Sequence, residues 1–225
     1  MCGRYSITSD GYSIGKQLDI EVASELFAPN YNAVPTNSLP IITKQSPSLL
    51  QAGRWGFVSS FGSNLKIKNL VINARQESIF EKKMFSHLVN PNRCLIPADG
   101  FYEWQKGGKP KQPFRFTLKS EELFSFAGLF QYGKDEGSVN EISFVILTTA
   151  ANSLVGELHN RMPVIIGKES QDEWLTLPWK ELQQVFEPYP AEKMKGYKVT
   201  PKINSVAYKS KDSIIPWQDP NLTLF

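Results

Sequence analysis

Short stretches crowded with β-branched, aromatic and other apolar residues recur along the chain, separated by polar stretches marked by Gly, Pro, Asn or Asp. "LPIITK", "LLQAGRWGFV", "RCLIPADGFYEW", "PFRFTL", "LFSFAGLFQY" and "ISFVILTTA" each have the length and composition of a strand bounded by turn residues. "MCGRYSIT" alternates like one more short strand. Repeated short strands of this kind predict an antiparallel sheet folded into a barrel or sandwich. A spacing closer to 3.6 residues appears in "SDGYSIGKQLDIEVASELF", "ARQESIFEKKMF", "NSLVGELH", "KESQDEWLTL" and "PWKELQQVF", which predicts short helices laid over an open sheet, with Pro178 near the first turn of the last one. The polar "QKGGKPKQP" suits a hairpin loop. No repeat, low-complexity tract or Gly/Ser linker divides the chain. The expected architecture is therefore α+β: one domain over residues 1–225, with a mainly antiparallel, barrel-like core and flanking short helices.

Composition narrows the picture. A chain of 225 residues can bury a substantial core. Its 25 Lys and Arg against 22 Asp and Glu leave +3, too little to demand a polyanionic partner, although clustering rather than net charge sets the surface potential. Two cysteines, Cys2 and Cys94, do not make a secreted disulfide framework, which favours a reducing compartment. The N-terminus lacks the charged stretch and apolar run of a signal peptide, and no apolar run reaches the roughly 18 residues of a membrane span. The expectation is a soluble cytoplasmic protein with no membrane partner.

Four stretches could carry chemistry. If Met1 is removed, Cys2 presents an α-amine, with an ordinary pKa of about 8, and a thiol on adjacent carbons. An aldehyde would give an imine with the amine, and the thiol could then close a five-membered thiazolidine; the alternative is a small apolar residue at a chain end. In "NARQES", Asn73 reads as a helix N-cap, and Arg75 in the first helical turn would oppose the helix dipole unless a phosphate or carboxylate met it. In "ADGFYEW", Asp99-Gly100 is a turn signal and Glu103 shares a strand face with Phe101. A carboxyl group there suits acid or base work, the alternative being a solvent-facing acid on an edge strand. Trp104, on the opposite face, is either core or a stacking platform for an unpaired base. In "ELHNRMP", His159 and Arg161 offer a proton shuttle beside a cation, whereas His87 has no such company. No metal-ligand spacing and no phosphate-binding glycine loop is present, so neither a metal nor another cofactor is expected.

Taken in order, "MCGRY", "YNAVPT", "RWGFV", "NARQES", "RCLIPADGFYEW", "TTAAN" and "HNRMP" resemble the SRAP family, the SOS response-associated peptidase-like proteins. The motifs run from residue 2 to about residue 163, and "KINSVAYKSKDSIIP" is loosely similar to the family's final segment. The resemblance implies covalent capture of abasic sites in single-stranded DNA, shielding the lesion, with Cys2 closing a thiazolidine on the open-chain sugar aldehyde after loss of Met1. It also implies roles by position. Asn73 would hold the N-terminal cysteine and the sugar, Glu103 would shuttle protons, and His159 would assist ring opening or reversal. Arg4, Arg75 and Arg161 would hold the DNA backbone, and Trp104 would stack near the lesion. "YNAVPT" departs from the family's usual order, and "WGFVSSF" lacks its proline and tryptophan, leaving Phe61 as the substitute aromatic wedge. A monomer is expected, since one strand and one lesion suffice. Three alternatives stay open: a thiol peptidase or self-processing peptidase using Cys2, a relative of the N-terminal-nucleophile amidotransferases, and a non-covalent single-strand binder. Lyase activity is a further expectation at the same site.

Overall fold

The computed structural model describes residues 2–23, 27–58, 70–107, 111–133 and 141–218. Phe61 lies outside them. Two sheets dominate. The first orders its strands as Met194–Lys198, Pro113–Leu118, Gly100–Trp104, Tyr5–Ile7 and Asn30–Ala33, all antiparallel. The second runs Arg161–Pro163, Ile142–Ala150, Phe124–Tyr132, Arg93–Ala98, Ser38–Thr43, Ser46–Trp55 and Glu21–Val22.

The second sheet closes into the expected barrel, so the short helices do not lie over an open sheet. Ile142–Ala150 pairs in parallel with Ser46–Trp55 through Ser143 opposite Arg54 and Phe144 opposite Trp55, and this joins the two ends of a five-strand ring. Closure removes the exposed edges that an open sheet would present. Gly56 then takes a positive φ of 114°, donating its N–H to the Phe144 carbonyl at 2.7 Å, and ends the strand where the chain leaves the ring.

Aromatic residues bind the first sheet to the barrel. Tyr5 lies 5.2 Å from Trp55 and 5.5 Å from Phe126 between ring centroids, and Phe101 lies 6.3 Å from Phe126 while stacking within its own sheet on Phe116 at 5.3 Å. These tilted, edge-on and stacked contacts add to the burial of large apolar area. Gly128 lets the barrel wall close. A Cβ there would sit 2.3 Å from Ile96 Cδ1, 2.8 Å from the Val145 carbonyl oxygen and 2.9 Å from Cys94 Sγ. Because one of those neighbours is backbone, Gly128→Ala should destabilise the fold by ~1–3 kcal/mol, read as a lower urea midpoint at unchanged m-value.

The predicted strands match closely: "PFRFTL" and "ISFVILTTA" coincide with Pro113–Leu118 and Ile142–Ala150. The polar loop "QKGGKPKQP" does join hairpin partners, with Trp104 opposite Pro113. Helices are shorter than predicted. "ARQESIFEKKMF" holds only a 3₁₀ turn at Gln76–Ser78 and one α-helical turn at Lys83–Ser86, and "PWKELQQVF" folds as the 3₁₀ turns Trp179–Glu181 and Gln183–Phe186. In these stretches Ile79, Phe85, Trp179, Leu182 and Phe186 are buried, and their packing sets the backbone more than helical propensity does. No helix among the described residues is long and apolar enough to cross a membrane.

Candidate active site

Cys2 is drawn into the fold by the strand it precedes. Tyr5 pairs with Phe101 and Ser6 with Gly100, and the Tyr102 N–H reaches the Arg4 carbonyl at 3.0 Å. That pairing leaves Cys2 fully buried (0 % exposed) instead of frayed. Its Sγ donates to the Arg4 carbonyl at 3.7 Å, and Asn73 Nδ2 donates to the Cys2 carbonyl at 2.9 Å. Burial, reinforced by the neighbouring Glu103 charge, pushes the thiol well above its ordinary range.

Asn73 does not cap a helix. The apolar run before it continues as the strand Asn73–Arg75, pairing in parallel with Ile142–Ala150 through Ile146 opposite Asn73. Long-range pairing has overridden the local capping signal, and the freed amide turns to Cys2. Its Oδ1 is buried without a hydrogen-bond partner among the described residues, so it can accept a bond from a group entering the site. Arg75 ends that strand in an extended conformation (φ −80°, ψ 124°), so its charge does not sit in a helical turn against the dipole. Its side chain is exposed.

Glu103 lies on Gly100–Trp104, on the face it shares with buried Phe101, and is only 5 % exposed. The edge-strand alternative is thereby removed, since strands lie on both sides of it. Desolvation raises its carboxyl above the ordinary 4.5, while the charge of His159 pulls it back down. His159 follows the helical turn Ser153–Gly156, donates its backbone N–H to the Val155 carbonyl at 3.0 Å, and receives the Arg161 N–H on Nδ1 at 3.0 Å. The Arg161 carbonyl lies 3.3 Å from the same nitrogen. Cys2, Asn73, Glu103 and His159 thus form one connected set drawn from four separate stretches.

The remaining residues sort differently. Arg161 makes a bidentate ion pair with Glu77 at 2.7 and 2.8 Å and donates to the Thr148 carbonyl at 2.7 Å. Arg4 Nη1 donates to Asn32 Oδ1 and to the Ile203 carbonyl, each at 2.8 Å, and the guanidinium carbon stands 5.7 Å from the centre of the Trp104 ring. Trp104 is half-buried on the opposite face from Glu103, joins a small cluster with Tyr102, Val199 and Ile203, and donates its indole N–H to Asn204 Oδ1 at 2.6 Å. His87 is exposed, its Nδ1 3.0 Å from the Lys83 carbonyl.

Three ion-pair partners were missed in sequence. Glu77 sits inside "NARQES", and its proximity to Arg75 was the one available hint. Asp99 reads as a turn residue, yet the chain crosses there from the barrel, where Ala98 pairs with Phe124, to the other sheet, where Gly100 pairs with Ser6. At that crossing Asp99 accepts bonds from Ser6 Oγ at 2.6 Å, the Thr8 N–H at 2.5 Å, Thr8 Oγ1 at 2.6 Å and Arg115 Nη2 at 2.8 Å. Nothing local marks Arg115, which sits in the middle of an apolar strand. Among the described residues no three His, Cys, Asp or Glu side chains gather as metal ligands.

A small barrel flanked by a second sheet, with a cysteine gripped beside the first strand, defines a class that comparison identifies. The chain belongs to the SOS response associated peptidase (SRAP) family, whose model matches residues 1–206. Among curated relatives it is 37 % identical over 221 residues to the abasic site processing protein YoqW of Bacillus subtilis, covering 95 % of this chain and 99 % of that one. It is 27 % identical over 226 residues to the abasic site processing protein HMCES of Gallus gallus, covering 84 % of this chain and 67 % of that one. Solved structures share the fold: a protein from Bacteroides thetaiotaomicron has a TM-score of 0.77 at 24 % identity, covering 93 % of this chain and all of that one (100 %). One from Bordetella bronchiseptica has a TM-score of 0.76 at 25 % identity, covering 88 % and 100 %.

Proposed function

We propose that this chain processes abasic sites in DNA by capturing the lesion in a single strand as a thiazolidine on Cys2, once Met1 has been removed. The abasic site processing relatives support the substrate. The observation that carries the chemistry is the grip of Asn73 on the Cys2 carbonyl at 2.9 Å, beside a buried carboxyl group. That bond fixes the cysteine backbone, and with it the amine and the thiol, relative to Glu103.

The steps balance without an outside reactant. The α-amine of Cys2 attacks the sugar aldehyde carbon to give a carbinolamine, and loss of its hydroxyl as water leaves an imine. The thiol sulfur then adds to the imine carbon and its proton passes to the nitrogen, so one C–N and one C–S bond replace the C=O. Glu103, with its carboxyl raised by burial, gives a proton to the sugar ring oxygen, takes one back from the C1 hydroxyl that becomes the aldehyde, gives it to the departing hydroxyl of the carbinolamine and recovers it from the nitrogen as the imine forms. His159, close enough for its charge to act on the Glu103 carboxyl, serves the same transfers. A thiol raised by burial suits this order, in which the amine attacks first and a neutral sulfur follows. The same shift works against a peptidase reading, which needs a thiolate as first nucleophile. Exposed Arg75 is the cation best placed to meet a phosphate, whereas Arg161 must first exchange Glu77 for one.

Intact mass spectrometry under denaturing conditions tests the proposal, using Met1-processed protein and single-stranded DNA bearing one abasic site. The expected species is protein plus DNA less one water, absent with Cys2→Ala and absent with undamaged DNA. Folded, processed protein that yields no such adduct would sink the covalent reading.

A further inference from the structure

Strand Ile142–Ala150 runs between the two stretches that carry Asn73 and His159. On one side Ile146, Leu147 and Thr148 pair in parallel with Asn73, Ala74 and Arg75. On the other, Thr148, Thr149 and Ala150 pair with Pro163, Met162 and Arg161. With about 4.8 Å between neighbouring strands, the two outer strands stand roughly 10 Å apart. The Arg161 side chain spans that gap. Its Nη2 donates to the Thr148 carbonyl at 2.7 Å on the way, and Nη1 and Nη2 then reach the two carboxylate oxygens of Glu77 at 2.7 and 2.8 Å. Glu77 lies in the 3₁₀ turn Gln76–Ser78, directly after the strand that holds Asn73.

A planar guanidinium that meets a carboxylate at two points fixes orientation as well as distance. Among the described residues Glu77 is the one counter-ion of Arg161, whose Nε is buried without a hydrogen-bond partner. Desolvation raises the Glu77 carboxyl, but the bonds and charge of Arg161 outweigh it and hold the group below its ordinary 4.5, so the pair stays ionised at neutral pH. Each end of the pair leads into the site. On the Glu77 side, the adjoining strand carries Asn73, whose Nδ2 grips the Cys2 carbonyl at 2.9 Å. On the Arg161 side, the backbone N–H of Arg161 donates to His159 Nδ1 at 3.0 Å, so a shift of Arg161 is a shift of the imidazole.

We propose that Glu77 is a positioning residue for the capture reaction: its two-point bond to Arg161 ties the stretch that holds Cys2 through Asn73 to the stretch that holds His159, and so sets their spacing. The consequence for the reaction rests on the abasic-site reading, whereas the tie itself does not. A misplacement of about 1 Å at reacting groups can cost on the order of 100-fold in rate, so a cross-strand tie of this kind matters although it touches no reacting atom. The competing role is a counter-ion that steps aside for a DNA phosphate. The geometry serves that role less well, because the Arg161 side chain is only 13 % exposed and is pinned by the Thr148 carbonyl.

Single-turnover adduct formation, measured with Met1-processed protein over a range of abasic single-stranded DNA concentrations, tests the role together with NMR of the imidazoles. Glu77→Gln should lower the rate at saturating DNA about tenfold and leave the half-saturating concentration within about twofold of wild type. Arg161→Lys keeps the charge but gives up the fork, so it should slow the reaction similarly. The double variant should be no slower than the slower single, as two groups acting through one bond require. The chain has two histidines, and in Glu77→Gln the His159 ring signals should move while those of exposed His87 stay in place. A wild-type saturating rate in Glu77→Gln would overturn the proposal, and if DNA binding tightened at the same time, the phosphate-exchange role would take its place. If circular dichroism showed Glu77→Gln to be unfolded, Arg161→Lys would decide by the same two readouts. Wild type that forms no adduct would count against the thiazolidine reading, and the His159 signals would then decide the tie by themselves.

Discussion

Changing Glu103 to Gln should slow formation of the Cys2 adduct by ~10²–10⁴-fold while making the folded protein more stable at neutral pH. Both effects have one origin. Desolvation holds the Glu103 carboxyl above its ordinary value of 4.5, against the opposing pull of His159, so it stays protonated to higher pH than a surface acid and can give up a proton during ring opening and loss of water. The stability effect has a definite sign. Between the unfolded value and the raised folded value, the folded state binds more protons than the unfolded state, so stability falls as pH rises through that window. Below it, where both states are protonated, the penalty vanishes. Glutamine keeps the shape and removes the titration, so its melting temperature should match wild type in acid and exceed it at neutral pH. The wild-type rate should vary with pH through more than one ionisation, and the Gln variant should lose the limb that Glu103 supplies. An adduct rate unaffected by the change would remove Glu103 from the chemistry, whatever the melting curves showed.

Asp99→Asn should destabilise the fold by ~3–5 kcal/mol, the cost of breaking a buried ion pair by removing one partner. Arg115 and Asp99 have side chains only 8 % and 11 % exposed and meet at 2.8 Å. The carboxylate also accepts from Ser6, from the Thr8 hydroxyl and from the Thr8 backbone. Asparagine would present an NH₂ group to a cluster of donors and leave the Arg115 charge without its counter-ion. A urea titration should therefore show a large drop in midpoint, and Asp99→Asn combined with Arg115→Met should recover part of it, because the second change removes the orphaned cation. A single-variant loss below about 1 kcal/mol would mean that water replaces the pair readily. Since Asp99 stands where the chain passes between the sheets, its loss should also loosen the strand that carries Cys2 into the site.

The strands were legible because their signal is local. "PFRFTL" and "ISFVILTTA" carry β-branched and aromatic residues between turn residues, and backbone and side-chain preferences there agree with the sheet. The placement of Glu103 beside Phe101 followed from the two-residue period of a strand, and the ordered motifs pointed to the SRAP family. Asn73 shows where that kind of reading stops. Locally it is a good helix cap, but the backbone groups of Asn73–Arg75 find better partners on Ile142–Ala150, far along the chain, and its side chain is released to Cys2.

By itself, then, the amino-acid sequence determined the positions of the strands, which side chains share a face, the apolar stretches of the core and the cysteine whose position beside the first strand suggests its chemistry. Each of these depends on neighbours within a few residues, where periodicity and turn propensity act. Only the tertiary structure decided that Ile142–Ala150 closes the barrel by pairing in parallel with Ser46–Trp55, that Arg161 is held by Glu77, that Asp99 meets Arg115, and that Cys2, Asn73, Glu103 and His159 come together. Those outcomes depend on which distant strands pair and on charges being desolvated as they do, and no sequence period records such encounters.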